Sequence, residues 1–95
     1  MSKYEILEKK LNDVKKSIGK IETSRETTSK YLVEFENYVD MLILDSHERK
    51  IRNSNGAVLG LTRGISDYDE LCANEDLWEA VQNADKFYAT ECDMF

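Results

Sequence analysis

The chain has 95 residues, 41% apolar and 34% charged, with no proline, four glycines and a net charge of −6. That length suits one small domain, and the aromatic and branched content argues against a disordered chain. The densest apolar patch, Met41-Leu42-Ile43-Leu44, is far shorter than a membrane span.

The opening MSKYEILEKK lacks the apolar stretch of a signal peptide, so a cytoplasmic protein is expected. From Tyr4 the apolar residues Leu7, Leu11, Val14, Ile18 and Ile21 recur three or four positions apart, the heptad pattern. A helix in a globular core usually offers about three or four apolar positions every two turns. This one offers two, as a coiled-coil seam does. Leu7, Leu11, Val14, Ile18 and Ile21 are therefore read as a self-association seam, and a homo-oligomer, most simply a dimer, is the expected state.

The heptad phase continues through Arg25, Thr28, Leu32, Phe35, Val39, Leu42 and Ser46. The unbroken phase favours a single helix over residues 1–52, about 75 Å long at about 1.5 Å per residue. The competing reading is a break within residues 22–29. That stretch is poor in helix formers, and Thr23-Ser-Arg-Glu26 matches a capping box. Beyond residue 30 the stripe widens over Tyr31, Leu32, Phe35, Tyr38, Val39, Leu42 and Ile43, with Met41 and Leu44 beside it. This half reads as core-facing, and the C-terminal part of the same chain is its nearest cover.

Asn53-Ser-Asn-Gly56 ends the helix. Residues 53–65 read as a connector in which Gly56, Gly60 and Gly64 recur every four residues. On a helix these would form a smooth ridge for a second backbone. Ser66-Asp-Tyr-Asp-Glu70 then starts an acidic helix, Ser66 as cap and the acids at the positive end of the helix dipole. Asn74-Glu-Asp76 offers a second start within residues 66–92, and the tail docks through Phe95 or frays. The expected architecture is all-α: a long N-terminal helix with a coiled-coil-like seam, and one or two short helices folded back as a helical hairpin or bundle.

The charge is uneven. Residues 1–52 carry 11 basic and 10 acidic side chains, whereas residues 53–95 carry Arg63 and Lys86 against nine acids. Of these, Asp67, Asp69, Glu70, Glu75, Asp76 and Glu79 make a candidate partner-binding acidic face. Such a face suits a basic groove built for nucleic acid. Lys9, Lys10, Lys15, Lys16 and Lys20 form a basic stripe, but Glu5, Glu8, Asp13 and Glu22 interrupt it and no aromatic residue sits among the lysines. Direct nucleic-acid binding is therefore not expected.

No catalytic constellation stands out. His47 is the only histidine, and Cys72 and Cys92 have no metal-ligand spacing, so they read as free thiols in a reducing compartment. No cofactor or metal is expected. Glu36 with Asp40, and Asp67 with Glu70, are carboxylate pairs at helical spacing. Facing one another, they would suit a magnesium-dependent all-α nucleotide pyrophosphohydrolase, a remote alternative. The leading expectation is a non-enzymatic interaction protein that binds and regulates or inhibits a larger basic partner. Its sharpest form is an inhibitor of a host nuclease carried by a phage or plasmid. A coiled-coil assembly chaperone or adaptor is the runner-up.

Overall fold

The computed structural model describes residues 2–94. Among them are five helices and no strand: α1 (Lys3–Gly19), α2 (Glu26–His47), α3 (Leu61–Ile65), α4 (Asp69–Cys72) and α5 (Glu75–Glu91). Phe95, expected to dock or fray, lies outside the described residues.

Ser2 caps α1 by accepting from the Glu5 amide at 3.2 Å. The helix ends at Gly19, where the Lys20 and Ile21 amides turn back to the carbonyls of Ser17 and Ile18. The continuous helix over residues 1–52 is thus replaced by two helices, and the longest dimension is 40 Å. Each helix buries an apolar row in the same core, and the two rows happen to fall in one heptad phase across the break. The capping box at Thr23–Glu26 does not form. The Thr23 hydroxyl instead accepts from the Arg25 amide at 3.1 Å and donates to the Glu70 carboxylate at 2.8 Å. Arg25 becomes the N-cap of α2 with no side-chain cap. A local turn tied to a distant acid outweighs the capping pattern.

The helices form a bundle in which α2 and α5 both run antiparallel to α1. Near the start of α1, the Ser46 hydroxyl donates to the Tyr4 carbonyl at 2.7 Å and Glu8 meets His47. Further along, Lys15 meets Asp40 at 2.7 Å. On the other side, Lys3 Nζ donates to the Met94 carbonyl at 3.0 Å and Lys10 lies over the Phe87 ring at 5.5 Å. Leu7, Leu11, Val14 and Ile18 are buried between these neighbours, and Ile21 is half-buried against the core.

The connector and α3 lie across α2 and α5. Gly56 (φ +85°) and Gly60 (φ +87°) adopt left-handed backbone that other residues rarely take, so this stretch is a connector and no helical glycine ridge forms. Ser54 is buried and anchors this loop to the end of α5. Its amide donates to the Cys92 carbonyl at 2.8 Å, and its hydroxyl to Ala89 at 3.2 Å. Gly64 has a different role: a Cβ there would sit 2.8 Å from the Tyr31 hydroxyl, which donates to the Gly64 carbonyl at 2.5 Å. Tyr31 also stacks on Tyr68, ring centroids 4.2 Å apart, and so joins α2 to the α3–α4 turn. Ser66 closes α3 instead of opening a helix, its hydroxyl donating to the Arg63 carbonyl at 2.7 Å. Asn74 caps α5, its side chain accepting from the Leu77 amide at 3.0 Å.

Candidate interaction surfaces

The row on α1 is an interior feature of this chain. Leu7, Leu11 and Val14 are fully buried and Ile18 nearly so, with α2 on one side and α5 on the other. The expected partner helix is supplied twice from the same chain, so of the side chains assigned to a self-association seam Leu7, Leu11, Val14 and Ile18 are withdrawn from the surface and only Ile21 is partly exposed. Lys10, half-buried, lays its stem toward Phe87 while its ammonium stays over the ring.

The six acids of the C-terminal face separate into two groups. Asp67, Asp69, Glu75, Asp76 and Glu79 are exposed and take no ion pair among the described residues. Glu70 is half-buried and faces inward. It accepts from the Thr23 hydroxyl and lies 4.0 Å from the Arg25 guanidinium. The hydroxyl bond, with Arg25 adding a smaller attraction, holds its carboxyl below the usual carboxylate range. Asp76 and Glu79 share a shallow groove with Asp13, Lys16 and Lys20 of α1.

The basic stripe is divided by the fold. Lys15 pairs with Asp40, whose hydrogen bond and charge raise the lysine pKa. Lys3 binds a backbone carbonyl, Lys10 covers Phe87, and Lys16 and Lys20 border an acidic groove.

The carboxylate pairs are not assembled into one site. Asp40 is held by Lys15 and Glu70 by Thr23 and Arg25. No group of three or more His, Cys, Asp or Glu side chains arranged to hold a metal ion occurs among the described residues. His47 is exposed, its Nδ1 2.9 Å from Glu8. Cys92 is buried, which pushes its thiol up to about 11, and Cys72 donates to the Ile65 carbonyl at 3.1 Å. Both thiols are free. No helix among the described residues is long and apolar enough to cross a membrane.

Two features escaped the sequence reading. Asp85, on the buried side of α5, accepts from the Leu61 and Thr62 amides at 3.3 and 2.8 Å. It caps α3 from 23 residues away, and no local pattern announces such a pairing. The second is the outward face of α2. Val33, Met41 and Leu44 are 61%, 49% and 54% exposed. The sequence placed Met41 and Leu44 beside the core-facing stripe, and Val33 on the opposite side was not singled out.

No protein-family model, curated protein or solved structure matches this chain.

Proposed function

We propose that this is a non-enzymatic helical interaction protein that binds a larger basic protein and regulates or inhibits it through its acidic end. The observation that carries the reading is the group Asp67, Asp69, Glu75, Asp76 and Glu79. These side chains lie within 13 residues of one another and remain exposed and without ion pairs among the described residues, while Asp40, Glu70, Glu26, Glu8 and Glu48 are tied to Lys15, Arg25, Lys30, His47 and Lys50. A surplus of exposed negative charge steers and orients an oppositely charged partner, and it does so most strongly at low salt. A basic groove that otherwise holds nucleic acid is the partner surface with the matching chemistry. Inhibition of a nuclease follows if the acidic end occupies that groove.

The test is inhibition of a panel of purified nucleases with basic substrate grooves, at low and high salt. Wild type inhibits at least one enzyme, and inhibition falls by about tenfold or more between 50 and 300 mM salt. Reversing charge at Asp67, Asp69 and Glu75 lowers inhibition further, whereas the circular-dichroism spectrum stays helical. Salt-independent inhibition that survives the reversal overturns the acidic-end reading, as does lack of inhibition across the panel.

A further inference from the structure

From the outward face of α2 we infer a second docking surface, one that receives an amphipathic helix of a protein partner whose apolar row is edged by lysine or arginine. It goes beyond the acidic-end reading, because it uses another face and stands or falls separately.

The inward side of α2 buries Leu32, Phe35, Val39 and Leu42. Opposite them, at helical spacing, Val33, Asn37, Met41 and Leu44 form one continuous row. The row is about 16 Å long at about 1.5 Å per residue, three turns of helix. Single exposed apolar side chains are common on any surface. Here the apolar residues occupy the middle of a face that an isolated surface helix keeps polar.

The edges of the row say what covers it. α2 carries Glu26, Glu34, Glu36, Asp40 and Asp45 against the single cation Lys30. Glu34 and Asp45 flank the row on one side and Glu36 on the other, next to Asp40, which is already paired with Lys15. Lys30 is itself engaged by Glu26 at 3.2 Å. A second copy of this face would set acids against acids, which disfavours self-pairing. A helix with cationic edges meets the opposite condition. The chain already contains one such contact: α1 packs its apolar row on another side of α2 and places Lys15 2.7 Å from Asp40. The outward face repeats the acidic edge and the apolar row, without the helix.

The experiment titrates wild type with two synthetic helical peptides of equal apolar content, one edged by lysine and one by glutamate, read by fluorescence anisotropy and amide chemical shifts. The lysine-edged peptide binds and shifts residues 33–44, and the glutamate-edged peptide binds at least about tenfold more weakly. Met41→Asp with Leu44→Asp lowers affinity for the lysine-edged peptide by about tenfold or more. These side chains are exposed, so the variant keeps its helical spectrum. Reversal at Asp67, Asp69 and Glu75 leaves this binding within about twofold, which separates it from the acidic end. The inference is overturned by equal binding of the two peptides, by binding that survives Met41→Asp with Leu44→Asp, or by shifts confined to other helices. It is also overturned if light scattering finds a wild-type dimer that Leu44→Asp converts to a monomer, because a second copy then covers the face.

Discussion

Helices α1 and α2 each carry an apolar row with charged edges, and the fold treats the two rows oppositely. The thinner row, Leu7, Leu11, Val14 and Ile18, is entirely inside. The helix with the broader apolar surface leaves Val33, Met41 and Leu44 outside. Stripe width alone does not decide burial. What decides is how many neighbours the topology brings to a helix: α1 lies beside both α2 and α5, whereas the outward side of α2 has no element against it. Edge charge differs too: α1 mixes lysines with Glu5, Glu8 and Asp13, whereas α2 carries five carboxylates against Lys30.

The comparison breaks most sharply at Leu11 and Leu44. Leu11→Ala deletes fully buried methyl groups and is expected to cost about 2–5 kcal/mol of unfolding free energy. Leu44→Ala removes a side chain 54% exposed and is expected to change stability by no more than about 0.5 kcal/mol. Urea unfolding of the two variants measures both. Leu11→Glu with Ile18→Glu buries two charges and unfolds the chain, instead of yielding a folded monomer as a surface seam would. Equal, small effects at Leu11 and Leu44 would mean that α1 is not the centre of the bundle.

A smaller effect tests how α3 comes to lie across the bundle. The Asp85 carboxylate accepts from two backbone amides at the start of α3, and Tyr31 of α2 donates to the Gly64 carbonyl within it. Asp85→Ala leaves the Leu61 and Thr62 amides without that acceptor and is expected to destabilise by about 1–3 kcal/mol. The loss should concentrate in α3: amide exchange at residues 61–65 accelerates more than exchange in the middle of α1. Uniform acceleration would show that Asp85 supports the whole bundle and not the short helix it caps.

How much of this was legible follows from the range of each interaction. The all-α class and the start of a helix at Asn74 rest on periodicity and local capping, so neighbouring residues carry the signal, whereas α2 ends at His47, ahead of the expected Asn53–Gly56 stop, with Arg49 taking the left-handed turn (φ +59°). The break at Lys20–Arg25 was masked because two separate helices bury rows that happen to share one heptad phase. The seam on α1 had the right residues but an outside partner in view, since a narrow row between two helices of the same chain looks the same in sequence as a narrow row between chains. Asp85 and Glu70 were unreadable for another reason. Each acts on backbone or linker groups far along the chain, 23 or more residues away, and nothing local marks that partner.

The smallest effect concerns the joint between the two compared helices. Thr23 and Arg25 connect α1 to α2, and Glu70 holds both from the α4 side. Because the fold lowers the Glu70 pKa below its ordinary 4.5, the ionised form contributes stability at neutral pH. That contribution is complete above about 4.5, the unfolded value, and is lost as pH falls through the lower folded value. Glu70→Gln keeps an oxygen that accepts from Thr23 but removes the charge. Thermal melts should therefore place wild type slightly above Glu70→Gln near pH 7, with the gap closing near pH 3. The other carboxylates titrate in both proteins, so the difference between the two curves isolates Glu70. A gap that persists unchanged in acid would assign the effect to the shape of the side chain. A closing gap would instead place this carboxylate with the fold, leaving Asp67, Asp69, Glu75, Asp76 and Glu79 as the part of the acidic face free to meet a partner.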